Sequence, residues 1–378
     1  MTIDLGDLGF DEGAHLLVKR ALATDPTVTV RGTSPTLDID LPAWCRSRGH
    51  HVARTGDGFA VTRGPDRWQN AERAGGDAPV AAAPARWGLA ARGALVEAGA
   101  PEFDVPLAIW ADEAPRLYAQ AAAQQWDPAT AVPWDAPITH PDEVEAAVVQ
   151  IMTYLIENET AALLVPVRFL GRLHPHYREV MQLLAIQVAD EARHIEVFTR
   201  RARLRRSELG LSTVSGQASL ATLFAESEFA IASMLLAVLG EGTFLSLLGF
   251  VRDHAPDDCT RVVAQLAAQD EARHVAFGLA HIAHELANDA ALRGRLATAI
   301  ERRHGALAGT AGLNEDVFDA LLLLAAGGWE REALRRGHGA VVQLVRDMDN
   351  GRRARLARLG FSPEDAQRLS SLHTRNFM

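Results

Sequence analysis

Residues 187–198 read Gln187-Val-Ala-Asp190-Glu191-Ala-Arg193-His194-Ile-Glu-Val-Phe198, and residues 267–278 read Ala267-Ala-Gln-Asp270-Glu271-Ala-Arg273-His274-Val-Ala-Phe-Gly278. The pentapeptide Asp-Glu-Ala-Arg-His therefore occurs twice, from 190 and from 270. A single Glu-x-x-His in a helix-rich chain is most often a solvated face. Two identical copies in matching helical surroundings are an internal repeat. The spacing of three puts Glu191 and His194 on one helix face, and likewise Glu271 and His274. In the first copy that face is otherwise apolar, running Val180, Leu184, Glu191, His194, Phe198. A carboxylate and an imidazole on a buried face are costly unless they are paired or bind a metal.

Each copy follows a helical stretch whose apolar stripe is broken by one acid. Before the second copy the stripe is Ile231, Met234, Val238, Glu241, Leu245, Leu248; before the first it is Val148, Met152, Leu155, Glu159, Leu163, Val167. Glu241 precedes Glu271 by 30 residues and Glu159 precedes Glu191 by 32, gaps that fit one helix, a short turn and an antiparallel return. Glu157 competes with Glu159 from a more polar face shared with Tyr154 and Arg168. Glu159, Glu191, His194, Glu241, Glu271 and His274 then supply four carboxylates and two imidazoles inside a four-helix bundle. That hard oxygen and nitrogen set suits two iron ions, with manganese or a mixed iron–manganese pair as alternatives.

The rest of the chain frames this bundle. At about 150 residues per domain, 378 residues suggest two domains. The β-rich runs Thr27–Arg31, Val52–Thr55 and Gly58–Thr62, with helical stretches near Glu12–Ala23 and Asp38–Ser47 and a stop at Gly49, predict a small α+β domain over 1–65 in the order β-α-β-α-β-β. Residues 66–85 are rich in Gly, Ala, Pro and Asp and read as a linker. From 86 to 378 strand signals vanish, and long helices are expected at 142–171, 176–207, 217–252 and 257–288, with further helices to the end. The fold class is mainly α, a four-helix bundle with extra helices behind a small α+β domain.

The doubled motif and its upstream acids resemble the ferritin-like di-iron carboxylate superfamily over about residues 142–288, closest to its oxygen-activating branch. That resemblance implies an oxygenase or oxidase that reduces O2 and oxidises a small organic substrate. It also implies that Asp190 orients His274 and Asp270 orients His194, with Arg193 and Arg273 pairing these acids or capping the bundle. The alternative is iron storage or peroxide scavenging, as in ferritins and rubrerythrins; the helices at 86–140 and 289–378 exceed what a minimal storage subunit needs. A radical generator like the ribonucleotide reductase small subunit places a tyrosine four residues after the first histidine, where this chain has Phe198. The p-aminobenzoate N-oxygenases carry an extra histidine where this chain has Ala267. A purely structural metal is the non-enzymatic reading.

The N-terminal order, with Ala43-Trp-Cys45-Arg-Ser-Arg-Gly-His50 before the final hairpin, resembles the TusA-type sulfur carriers. Their reactive Cys-Pro pair has no counterpart in Gly9-Phe-Asp-Glu-Gly-Ala14, so a docking or dimerisation module, and with it a homodimer, is the expectation. A net charge of −10 argues against nucleic acid as the main partner. The longest candidate for a membrane span, Ile231–Gly240, stops at Glu241, short of the roughly 18 residues required. The acidic N-terminus shows no secretory signal, and Cys45 and Cys259 cannot form a disulfide framework, so a reducing cytoplasm is expected. No dinucleotide-binding glycine motif or cysteine cluster is visible, so electrons would come from a separate donor. Among single residues, His281 reads as a packed or surface histidine two turns beyond His274, with substrate-cavity lining as the alternative. Cys259 reads as a small buried side chain and Glu226 and Glu228 as solvated acids, Glu228 with the bundle face as an alternative.

Overall fold

The computed structural model describes residues 1–64, 111–173, 177–211, 221–224, 226–308 and 315–372, with side chains described in all of these but 306–308 and 315. The expected linker at 66–85, part of the expected helical wall at 86–140, and the expected helix starts at 176 and 217 lie outside the described residues. Residues 1–64 belong to one compact unit and residues 111–372 to another.

The first unit has strands β1 (Thr2–Asp4), β2 (Thr27–Arg31), β3 (His51–Thr55) and β4 (Gly58–Thr62), with helices α1 (Ala14–Thr24) and α2 (Leu37–Arg48) between them. The sheet order is β1-β2-β4-β3. β1 runs parallel to β2, which requires the α1 crossover, whereas β3 and β4 close as an antiparallel hairpin with Thr55 opposite Gly58. Val28, Val30, Phe59 and Val61 pack with Val18, Leu22, Leu41 and Cys45 in one core. α2 stops at Gly49, whose φ of 74° is a left-handed conformation that glycine adopts without strain.

The second unit is all helical among its described residues: α3 (Ala114–Ala123), α4 (Asp142–Leu170), α5 (Arg178–Ala202), α6 (Phe229–Asp253), α7 (Asp258–Asn288), α8 (Leu292–Ala308), α9 (Glu315–Ala326), α10 (Arg331–Arg358) and α11 (Pro363–Ser371). α4 packs along α5, α6 along α7, and α5 against α7. α4 meets α6 through Phe169 against Phe229 (5.1 Å) and Tyr154 stacked on Phe244 (5.9 Å). The mainly α architecture expected from the sequence, a four-helix bundle with added helices, preceded in the chain by a small sheet, is the one observed. α3 and α9 cover α5 and α4 respectively, and α10 covers α9 and α6.

The third bundle helix departs from expectation. Glu228 is extended (ψ 123°), so α6 begins only at Phe229. Its central stretch, Met234–Glu241, is π-helical. The i→i+5 pattern shifts the phase of the exposed and buried faces. Leu245 of the expected stripe is therefore only half-buried, while Phe244, Leu247 and Leu248 point inward. In α4 the expected stripe also drifts: Val167 is exposed and Leu163 half-buried, and Ala162, Val165 and Phe169 take the inward face. Steps of four residues advance 40° beyond a full turn, so a stripe continued by fours leaves the core.

Two apolar cores fill the bundle. One gathers Ala162, Val165, Phe169, Leu184, Val238 and Phe277; the other gathers Met152, Leu155, Phe198, Phe244, Leu248 and Ala267. On all four helices the boundary between them falls at one level, and that level carries Glu159, Glu191, His194, Glu241, Glu271 and His274. Nearer the start of α4, Arg201 of α5 is fully buried and donates to both oxygens of Glu145 (2.9 Å each), to Asp257 (2.6 Å) and to Thr260 (2.7 Å). Asp257 also caps α7 by accepting from the Thr260 amide (2.8 Å). This network ties α4, α5 and α7 together and fixes their register along the bundle.

α4 and α6 are each long and apolar enough to cross a membrane by length and composition alone, which counting unbroken apolar runs does not register. In both, most of the apolar window is buried inside the protein, 67% in α4 and 78% in α6, as in the core helices of a bundle.

Candidate metal centre

The structure brings the six predicted side chains together, each less than 5% exposed. Glu159 comes from α4, Glu191 and His194 from α5, Glu241 from the π-helical end of α6's central stretch, and Glu271 and His274 from α7. Glu157 is half-buried and outside the cluster. Two groups form. Glu159, Glu191, His194 and Glu271 make one, and Glu191, Glu241, Glu271 and His274 the other; in each, one ligand atom per residue lies within 4.8 Å of all the rest. Glu191 and Glu271 belong to both.

Both imidazoles turn Nδ1 toward the carboxylates. His194 Nδ1 lies 3.2 Å from Glu191, 3.4 Å from Glu271 and 3.8 Å from Glu159. His274 Nδ1 lies 3.0 Å from Glu191 and 3.5 Å from Glu271. The opposite nitrogens face the two buried aspartates: His194 Nε2 to Asp270 and His274 Nε2 to Asp190, each at 3.2 Å. An Nε2–H donated to aspartate leaves the Nδ1 lone pair pointing into the cluster.

A second layer secures those aspartates. Arg193 pairs with Asp190 and with Asp270 (3.1 Å), and Arg273 pairs with Asp270 and approaches Asp190 (3.5 Å). Three residues that sequence reading did not single out complete the layer. Trp126 Nε1 donates to Asp270 (2.8 Å), Gln125 Nε2 to Asp190 (3.0 Å), and Gln124 accepts from Arg273 (3.0 Å). Arg193 also sits over the Trp126 ring at 4.7 Å. Inside the bundle, Gln187 Nε2 donates to Glu241 (3.3 Å). Gln124, Gln125 and Trp126 follow α3 in a segment without periodicity, so no sequence signal pointed to them.

The electrostatics describe a site short of positive charge. Burial, with Glu191 and Glu271 beside it, pushes the Glu159 carboxyl well above the usual range. Burial and Glu271 do the same to Glu241. Burial opposes ionisation of Glu191 too, but His274 and His194 outweigh it and hold that carboxyl low. Burial disfavours charge on both imidazoles, yet Asp270 and the cluster carboxylates raise His194, and Glu191 and Asp190 raise His274, well above the ordinary histidine value. Raised acids and raised imidazoles both follow from four carboxylates packed together out of water.

No family model matches the chain. No curated protein matches it either. Several solved structures share part of its shape. A variant of an R2-like ligand-binding oxidase with an aerobically reconstituted Mn/Fe cofactor is 17% identical, covers 67% of this chain and 92% of its own, and has a TM-score of 0.47. Another variant with an anaerobically reconstituted Mn/Fe cofactor is 16% identical, over 75% of this chain and 98% of its own, at a TM-score of 0.48. A third, with an Fe/Fe cofactor, has the same identity, coverage and score. The likeness is distant and does not show a shared family or activity.

The residues present fit a pair of divalent ions. Glu241 Oε2 and Glu271 Oε2 are buried without a hydrogen-bond partner, and Glu191 Oε1 and His274 Nδ1 have only their 3.0 Å approach to each other, which is costly for a protein and ordinary for metal ligands. Two divalent cations would match the four carboxylates, because Asp190 and Asp270 are already balanced by Arg193 and Arg273. The buried carboxylate and histidine groups can therefore hold a di-metal cofactor, as expected.

The remaining expectations divide. His281 is fully buried and packed against Phe229 (4.8 Å) and Phe277 (6.1 Å). Cys259 is buried and its Sγ donates to the Pro133 carbonyl (2.9 Å). Glu226 is not solvated: it is 7% exposed and pairs with Arg302 at 2.5 Å. Glu228 stays at the surface, pairing with Arg295 at 3.0 Å, and does not face the bundle.

Proposed function

We propose that this protein is a non-haem di-metal oxidase or oxygenase that uses O2 to oxidise a small organic substrate. The observation that carries the reading is the pair of overlapping ligand groups sharing Glu191 and Glu271. Glu159 and His194 would complete the set for one ion, and Glu241 and His274 for the other. Two iron ions, or an iron–manganese pair, supply redox chemistry toward O2 when bound.

The chain's own residues set the conditions for that chemistry. Asp270 and Asp190 hold the Nε2 protons of His194 and His274, so the tautomer that offers Nδ1 is maintained. Trp126, Gln125 and the two arginines keep the aspartates from turning away. The apolar cores on both sides keep water from the carboxylates, which strengthens every charge interaction among them. Gln187 restrains Glu241, the one acidic side chain carried by the π-helical stretch. A separate donor supplies electrons. The N-terminal unit serves docking or dimerisation and not sulfur transfer: Cys45 is fully buried, and burial pushes its thiol up to about 11.

The test is O2 uptake after anaerobic loading with ferrous iron. Prompt consumption, lost in Glu191→Ala, supports the reading. A loaded protein indifferent to O2 overturns it.

A further inference from the structure

Beside the cluster lies a small cavity lined by Glu159, Glu241 and Glu271 and by Leu223, Leu236 and Phe244. The water-sized space within it is about 10 Å³, close to one molecule. Asn158 also lines it, and is the one uncharged polar side chain to do so among the described residues. That side chain is 8% exposed. Its Nδ2 end faces Tyr154, donating to the Tyr154 carbonyl (2.7 Å) and easing the burial of that phenol. Only an amide N–H can donate there, so the flip is settled and Oδ1 is the other end. Oδ1 is buried and has no hydrogen-bond partner.

A buried acceptor left unmet is costly, and a donor entering the cavity beside it would recover that cost. The structural ties of this side chain use Nδ2 alone, toward Tyr154 four residues earlier in the same helix, and leave Oδ1 uncommitted. We propose that Asn158 Oδ1 accepts a hydrogen bond from the substrate, so that the substrate class is a narrow, apolar molecule ending in a neutral O–H or N–H donor. This rests on the oxidase reading above and adds the specificity-determining contact to it. A carboxylate tip does not fit, because it has no proton to donate to Oδ1. A second, mostly apolar cavity, of about 30 Å³, shares Leu236 with the first and is lined by Val165, Phe169, Leu184, Phe229 and Phe277, with Gln187 and Ser233 as its polar members. The donor end sits at Asn158, and the apolar remainder passes Leu236 into this second space.

The test uses two isomeric probes, 1-butanol and methyl propyl ether, which match in size but differ in the donor. With Mn(II)-loaded protein freed of excess metal, the paramagnetic relaxation of probe protons reports binding beside the cluster. Thermal shift with the same probes, on loaded and metal-free protein, needs no metal signal. The alcohol is expected to bind roughly fivefold or more tightly than the ether. Asn158→Leu and Asn158→Ala should abolish that preference while leaving Mn(II) content unchanged. Asn158→Leu should also melt no lower than wild type, whereas a structural amide would lower the melting point. Equal binding of both probes to a protein that holds its two Mn(II) ions overturns this inference and leaves the oxidase reading standing. Alcohol preference in a protein that binds no metal supports the contact at Asn158 and overturns the oxidase reading. If neither metal nor preference is found, both fall.

Discussion

Replacing Arg201 with methionine removes the guanidinium that bridges Glu145, Asp257 and Thr260. The guanidinium is fully buried and makes four hydrogen bonds between 2.6 and 2.9 Å. Methionine fills much of the volume but leaves the Glu145 and Asp257 side chains, each 1% exposed, without their counter-charge. Breaking a buried ion pair by deleting one partner costs about 3–5 kcal/mol. Here two carboxylates are stranded, and His140, 2.7 Å from Glu145, can offset only one of them. The expected loss therefore lies at the upper end, about 4–5 kcal/mol, or about 8–10 °C in Tm at about 2 °C per kcal/mol for a unit of this size. Urea unfolding followed by far-UV circular dichroism measures it through the midpoint at constant slope. Adding Glu145→Gln and Asp257→Asn to Arg201→Met should recover more than half of the loss, because the stranded charges are then gone. A loss below about 1 kcal/mol, or no recovery in the triple variant, would refute the assignment of this network as the clamp of α4, α5 and α7.

The same network predicts the acid response. Burial opposes ionisation of Glu145 and Asp257, but Arg201 outweighs it and holds both carboxyls below their usual range. Their stabilisation is then complete above the unfolded values near 4 and is lost as pH falls through the lowered ones, so the gap between the wild-type and Arg201→Met urea midpoints should hold from pH 8 to about 5 and close below about 4. Asp270→Asn should weaken Mn(II) binding at the His194 group by about 10–100-fold and Asp190→Asn at the His274 group, seen by calorimetry as one weakened step of two; equal weakening of both steps by either variant would contradict the pairing. Cys45, with its thiol pushed up to about 11, should react slowly with an aromatic disulfide reagent at pH 8 in folded protein and fast in urea.

The doubled pentapeptide made the centre legible because helical geometry forces a Glu and a His three residues apart onto one face. Glu241 was legible for a related reason, as one acid on a stripe of Ile231, Met234 and Val238, all buried. Glu159 stood ahead of Glu157 at the level of sequence because Glu157 shares a more polar face with Tyr154 and Arg168; Glu159 is the one that lies within reach of Glu191, His194 and Glu271. The π-helical stretch was not legible, because periodicity arguments assume one pitch along a helix. Glu226 read as solvated because its partner, Arg302, lies 76 residues away and leaves no local pattern. Trp126 and Gln125 act at the centre from outside any periodic element, and Asn158 reads as one more polar residue until the cavity beside Glu159 is seen.

Metal analysis of the purified chain after anaerobic loading with ferrous or manganous ion and removal of excess tests the central claim most directly. About two ions per chain are expected, falling below one when Glu191 and Glu271, common to both ligand groups, are replaced together by alanine. A wild-type chain that retains fewer than one ion, or a doubly substituted chain that still retains two, contradicts the di-metal centre.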